Sequence, residues 1–359
     1  MTKKIYKKTF TKPDGRAWNQ YSHEDQGPLE VIHPGKVRPG DWKVPTLRWN
    51  KMRGEHVAVS ASRTNRPLLP SRASCPLCPP ADLKQAQEAP TEIPLTNQPF
   101  KWAAFENMFP SLSLGGGTGY AEVLLYSSSH DKKLSDQPLE DVEGLVKVWM
   151  DRSATISRFS NIKHVFIFEN KGEEVGVTLH HPHGQIYAFC DLPPFIRAEW
   201  EEAKKHFAAS GNCLICDLAS EEIRSGERTV FDSDTVVAYV PYAARYPFEV
   251  HVTTKRHCER IENLEESEIS DIARCLKTII HKYDGLYGFE LPYMMVHHQG
   301  PHHESSEHYH WHLEFYPVHR GKDKIKFLAG VESGAGLFVN DTLAEESAKL
   351  LNAVPQADF

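Results

Sequence analysis

The chain has 359 residues, enough for about two domains at roughly 150 residues each. It carries 41 basic and 48 acidic residues, a formal net charge of -7, which excludes the strongly basic footprint of a general nucleic-acid binder. With 40% hydrophobic and 25% charged residues, the composition is that of a globular protein and too apolar for a disordered chain. No apolar run approaches the roughly 18 residues of a membrane span, and the basic N-terminus lacks the apolar stretch of a signal peptide. The expectation is a cytoplasmic protein with no membrane and no nucleic-acid partner.

Residues 1–45 are polar and rich in Pro and Lys, and they read as an extended N-terminal arm with solvated basic side chains. The remainder of the chain divides into a unit over 46–205 and a second over 206–359, related by an internal duplication. The first unit opens with Cys75-Pro-Leu-Cys78. It runs through an apolar strand at 121–126 to His130, then a helical pattern with Val142, Leu145, Val146 and Trp149, and closes on His181-Pro-His183. The second opens with Cys213-Leu-Ile-Cys216. It passes strands at 235–240 and 248–253 to His257, then a helix with Ile269, Ile272, Ala273 and Leu276, and closes on His310-Trp-His312.

The register of the two halves agrees. The helix positions lie at +12, +15, +16 and +19 from His130, and at the same offsets from His257. The closing histidines come after 51 residues (His130 to His181) and 53 residues (His257 to His310). Alternating strands with an amphipathic helix predict an antiparallel sheet with a helix packed on it, twice over, which is the α+β class.

Seven cysteines in a chain without a leader are not a disulfide framework. Two C-x-x-C pairs, each with histidines downstream, favour zinc over redox chemistry. Cys75, Cys78, His130 and His181 supply one closed tetrahedral set, and the duplication predicts a second from Cys213, Cys216, His257 and His310.

In a strand, His181, His183 and Gln185 share a face. A neutral imidazole there is a competent nucleophile toward phosphorus, and a neighbouring amide can donate to a non-bridging oxygen as charge develops. Gly184 is read as making room for an anionic group against the backbone. Pro182 points to an edge or irregular segment. The bland alternative for His183 is a core or additional zinc-site histidine. His302, His303 and His308 fall in a polar loop and read as exposed.

The run FENKGEEVGVTLHHPHGQIYA at 168–188 resembles the galactose-1-phosphate uridylyltransferases of the histidine-triad superfamily. So do VAVSASRTNRP at 57–67, AFENMFPSL at 104–112, LLYSSSH at 124–130, HLEFYP at 312–317 and KFLAGVESGAG at 326–336. The resemblance implies two tandem histidine-triad-like units, half-barrels of antiparallel strands with helices outside, usually in a homodimer. It implies exchange of UMP between UDP-glucose and galactose 1-phosphate by a ping-pong route. His183 would carry the uridylyl group, the His181 carbonyl would hold its other ring nitrogen, and Gln185 would stabilise phosphoryl oxygens. Arg63, Arg66, Asn170 and Thr178 match phosphate contacts, Asn107 and Phe109 the uridine pocket, and Lys326 and Glu332 the hexose hydroxyls. Thr178 stands where familiar bacterial members carry Ser, so the hydroxyl is kept.

The second half departs from that pattern. Bacterial members bind iron or zinc there through a glutamate and three histidines. Glu199, His298 and His312 match three of these positions, and Glu314 stands at the fourth. The repeat-derived Cys2His2 set is favoured, as in the similar plant ADP-glucose phosphorylase. His312 is available to either set, so the two are expected to compete. Alternatives within the resemblance are ADP-glucose phosphorolysis or adenylyl transfer, hydrolysis, and zinc-stabilised nucleotide binding without turnover.

Overall fold

The structure is a computed structural model and describes residues 2–89 and 91–356. Two compact units share the chain: residues 2–167 with 178–194, and residues 168–177 with 195 onward. The exchange of short segments differs from the clean boundary at 205/206 expected from the sequence.

The first unit holds β1 (Tyr6–Thr11), β2 (Ala17–Ser22), β3 (Val31–His33), β4 (Thr46–Asn50), β5 (Glu55–Val59), α1 (Leu83–Glu88) and β6 (Leu95–Thr96). It continues with β7 (Trp102–Glu106), β8 (Tyr120–Leu125), α2 (Leu139–Ile156), the start of β9 (His164–Lys171), and β10 (His183–Phe189). Its main sheet runs β1-β2-β7-β8-β10, antiparallel at each of these pairings. The predicted apolar stripe of α2, Val142, Leu145, Val146 and Trp149, is buried. Glu140 and Asp141 in its first turn suit the positive end of the helix dipole. Gly144 allows α2 to lie on β7, since a Cβ there would come 2.2 Å from the Trp102 ring.

The second unit holds the end of β9, α3 (Pro194–Ser210), α4 (Leu214–Ser225), β11 (Thr229–Asp232), β12 (Val236–Tyr239), β13 (Val250–Thr254) and α5 (Glu266–Tyr287). Then come β14 (Tyr293–His298), β15 (His312–Pro317), β16 (His319–Gly321), β17 (Lys324–Ile325) and α6 (Ala344–Ala353). Its sheet order is β9-β14-β15-β13-β12-β11, antiparallel throughout. A capping box between Glu265 and Glu268 starts α5, and Ile269, Ile272, Ala273 and Leu276 are buried along it. The duplication is therefore structural. The trio β7-β8-β10 with α2 answers to β12-β13-β15 with α5.

The N-terminal residues are not an extended arm. β1 and β2 form a hairpin that extends the sheet, with Trp18 and Tyr21 buried. Trp18 stacks on Phe105 with ring centroids 5.1 Å apart. Lys12, read as a solvated charge, is buried and donates from Nζ to the carbonyls of Lys36 and Glu92 at 2.9 and 2.8 Å. Arg16 is buried against Asp14 and Glu92. Net polarity concealed this because the cations are satisfied inside while two aromatics supply the core. Among the described residues no helix is long and apolar enough to cross a membrane.

Candidate active site and metal-binding clusters

β10 alternates half-buried and buried residues, which puts His183, Gln185 and Tyr187 on one face and Gly184, Ile186 and Ala188 on the other. Pro182 precedes the strand and leaves its ladder with β8 intact. The imidazole of His183 donates from Nδ1–H to the His181 carbonyl at 2.7 Å. That bond fixes the tautomer and leaves the Nε2 lone pair for a reacting atom. Burial lowers the His183 pKa below its ordinary value, so the ring is neutral near pH 7. Gly184 serves a different purpose from the one expected. A Cβ there would lie 2.4 Å from Tyr126 Oη, on the side facing Tyr126 rather than the face of His183 and Gln185.

Cys75, Cys78, His130 and His181 converge, with their ligand atoms all within 4.8 Å of one another. Cys78 Sγ lies 3.3 Å from His130 Nδ1 and 3.7 Å from His181 Nδ1. His181 donates from Nε2 to the Ser127 carbonyl at 2.9 Å, which directs Nδ1 at the sulfurs. Burial holds the His181 pKa down at about 4, so it is a neutral donor. Burial and the neighbouring Cys75 push the Cys78 thiol up to about 12, a cost that a bound cation reverses. Two sulfurs and two neutral imidazoles at tetrahedral spacing fit a structural zinc ion.

Cys213, Cys216, His257 and His310 repeat the arrangement in the second unit. Cys216 Sγ lies 3.4 Å from His257 Nδ1 and 3.2 Å from His310 Nδ1. The other nitrogen of His310 bonds the hydroxyls of Thr253 and Thr254. His312 then donates from Nδ1–H to the His310 carbonyl at 3.0 Å, as His183 does to His181. Where the first unit has Gln185, the second has Glu314, 3.3 Å from His312 Nε2.

The alternative metal set is also assembled, so the two sets do not compete. Glu199, His298, His312 and Glu314 present ligand atoms within 4.8 Å of one another. Glu199 Oε2 lies 2.8 Å from His298 Nδ1. His310 serves the thiolate cluster and His312 the carboxylate cluster. Glu314 also meets His251 Nε2 at 3.2 Å and Arg245 Nη2 at 3.2 Å. Sequence reasoning missed His251 and Glu249, although Phe-Glu-Val-His-Val alternates as a half-polar strand. His302 and His308 are buried rather than exposed: His302 lies 3.4 Å from Glu262, and the His308 ring packs on Trp200 at 4.1 Å.

The residues matched to nucleotide contacts fall on both units. Arg63, on the short turn Ala61–Asn65, donates to the Phe109 carbonyl at 3.1 Å and to Tyr187 Oη at 3.4 Å. Arg66 donates to the Arg63 carbonyl, and burial and the Arg63 charge depress its pKa. Two guanidiniums so placed favour an anion between them. Asn107 Oδ1 accepts from the Phe109 amide at 2.8 Å, and the Thr178 carbonyl accepts from Leu69. Asn170 lies on β9 opposite Met294, in the second unit. There too, Lys326 Nζ pairs with Glu332 Oε1 at 3.0 Å. That bond holds the Glu332 carboxyl down at about 2.

Known proteins give matching likenesses. The profile described as "Galactose-1-phosphate uridyl transferase, N-terminal domain" matches residues 106–193, and that described as its C-terminal domain matches residues 199–359. A galactose-1-phosphate uridylyltransferase of Thermotoga maritima is 37% identical over 322 residues, covering 85% of this chain and 97% of the relative. A solved uridylyltransferase structure superposes with a TM-score of 0.75 at 30% identity, over 86% of this chain and 97% of that one. The ADP-glucose phosphorylase of Arabidopsis thaliana, solved with bound ADP-glucose, gives a TM-score of 0.68 at 25% identity, over 88% of this chain and 100% of that one.

Proposed function

The chain belongs to the galactose-1-phosphate uridylyltransferase family, and we propose that it moves UMP from UDP-glucose to galactose 1-phosphate through His183. The observation that carries this reading is the Nδ1–H bond of His183 to the His181 carbonyl, which leaves a neutral Nε2 on a half-buried strand face. Nε2 attacks the α-phosphorus, the bond from that phosphorus to the bridging oxygen breaks, and glucose 1-phosphate leaves. A phosphate oxygen of galactose 1-phosphate then attacks the same phosphorus and displaces Nε2, giving UDP-galactose. Gln185 donates its amide to a non-bridging oxygen, and Arg63 and Arg66 neutralise the phosphates. Asn107 and Phe109 hold the base, Asn170 and Thr178 contact phosphate, and Lys326 with Glu332 hold the hexose hydroxyls.

We assign zinc to both Cys2His2 clusters, and zinc or iron to the Glu199 cluster. The first cluster acts by position: with Cys75, Cys78 and His130 it immobilises His181, whose carbonyl holds the nucleophile. Exposed apolar side chains at Phe327, Leu328, Leu337 and Leu343 support association into a homodimer. Thiolate-rich clusters suit a reducing compartment, which supports a cytoplasmic location.

The test is intact mass after mixing with UDP-glucose, and separately with ADP-glucose, then adding galactose 1-phosphate or phosphate. A uridylyl adduct that galactose 1-phosphate removes is the expected result, and H183A is expected to form none while still binding nucleotide. An adenylyl adduct removed by phosphate would move the chain to the phosphorylase branch, a reading favoured by the second Cys2His2 cluster.

A further inference from the structure

Tyr187 lies on the same face of β10 as His183 and Gln185, two positions beyond the amide. Its hydroxyl is 3.0 Å from Ser111 Oγ and accepts from Arg63 Nη1 at 3.4 Å. The same Nη1 donates to the Phe109 carbonyl at 3.1 Å. The loop from Asn107 to Ser111 is braced from within by Asn107 Oδ1 on the Phe109 amide, and from outside by Ser60 Oγ on the Pro110 carbonyl. One phenol oxygen therefore joins three separate stretches of chain: the nucleophile strand, the turn that carries Arg63, and the loop that carries Asn107 and Phe109.

We propose that Tyr187 is a positioning residue that sets Arg63 in register with His183. This rests on the role of Arg63 as a phosphate contact. A guanidinium on a flexible stem loses rotamer freedom when it must meet a phosphate, and a fixed hydroxyl lowers that cost by holding it beforehand. The Phe109 carbonyl alone fixes one Nη1–H direction. The phenol fixes a second and anchors it to the strand on which the phosphorus reacts. The contact acts on bound substrate and transition state alike, so its loss is expected in the half-saturating concentration rather than in the limiting rate.

The test is a double-mutant cycle on Y187F and R63A, read in single-turnover adduct formation from UDP-glucose and in UDP affinity by calorimetry. Y187F keeps the ring and removes only the hydroxyl. It is expected to raise the half-saturating UDP-glucose concentration about three- to tenfold, the size of one modest hydrogen bond, with the limiting rate within about twofold. R63A is expected to cost more, and the double variant no more than R63A alone, because the hydroxyl acts through that arginine. S111A, which leaves the Arg63 contact in place, is expected to cost less than Y187F. Multiplying effects in the double variant, or a lowered melting temperature with unchanged half-saturation, would overturn the proposal and make Tyr187 merely structural. If R63A itself binds UDP and forms adduct as wild type does, the reading of Arg63 fails and this one falls with it. A normal Y187F beside a defective R63A would sink this proposal alone.

Discussion

Gly184 offers a direct test of what shapes β10. A Cβ at this position would lie 2.4, 2.9 and 3.0 Å from Oη, Cζ and Cε1 of Tyr126. Tyr126 is fully buried with its ring 6.1 Å from that of Trp149, so it cannot swing aside into solvent. No left-handed backbone is required at Gly184, so G184A adds overpacking without backbone strain. Overpacking of this kind costs about 1–3 kcal/mol. At about 2–4 °C per kcal/mol for a domain of this size, the melting temperature should fall by about 2–12 °C. Differential scanning calorimetry of the metal-loaded protein measures the shift, and adduct formation from UDP-glucose reports the displaced His183. Adding Y126F removes the atom at 2.4 Å but leaves ring carbons at 2.9 Å, so it should restore only part of the loss. The reasoning is refuted if G184A melts with wild type and loses only nucleotide affinity. That result would return Gly184 to the role of clearance for a ligand.

W18A removes a fully buried indole stacked on Phe105 and should cost about 3–5 kcal/mol, measured by urea unfolding; a change under about 1 kcal/mol would restore the picture of a detachable arm. His312 gives a pH signature in chelator-treated protein. Burial opposes its charge, but the hydrogen bond and charge of Glu314 outweigh burial and raise its pKa to about 9. A raised pKa stabilises fully below the unfolded value of about 6.5, and that stability is lost as pH rises through about 9. Melting temperatures of the metal-free protein should therefore decline over that window more steeply than those of E314Q, and equal slopes would contradict the pairing. On the proposed mechanism, Q185E places a carboxylate beside the phosphoryl oxygens. Two unit charges about 4 Å apart repel by about 4 kcal/mol at an effective dielectric near 20, so adduct formation should slow about a thousandfold. Slowing below tenfold in stopped-flow quench would remove Gln185 from the phosphoryl contact.

The repeat was legible because it is written twice in the same register. Val142 and Ile269, Trp149 and Leu276 stand at equal offsets from their histidines, and all are buried as the stripe requires. The Cys2His2 sets were legible because soft and borderline ligands at fixed spacing have few other uses. The N-terminal hairpin was not, because composition counts Lys12 and Arg16 as surface whether or not carbonyls and carboxylates wait for them inside. His302 and His308 were misplaced for the same reason: a polar loop can bury a ring against Trp200 when the strand behind it sets the path. The segment exchange at 168–177 was hidden because β9 is one continuous strand whose two halves serve different units.

The two units show how one change of side chain diverts a shared geometry. Each closes a Cys2His2 cluster with a histidine whose backbone carbonyl then receives Nδ1–H of the histidine two residues on. The carbonyl takes Nδ1–H in both, so in each unit Nε2 is the nitrogen that meets other groups. The residue two positions further decides its use. The amide of Gln185 carries no charge to hold a proton on His183, whose pKa burial lowers, which suits the proposed attack on phosphorus. The carboxylate of Glu314, with Glu199 and His298 beside it, draws His312 into a proton or a cation and repels any phosphate. The proposed nucleophile site and the cluster that could hold a metal thus differ by a carboxamide and a carboxylate. On the proposed mechanism, the transfer step belongs to the histidine that kept the amide beside it.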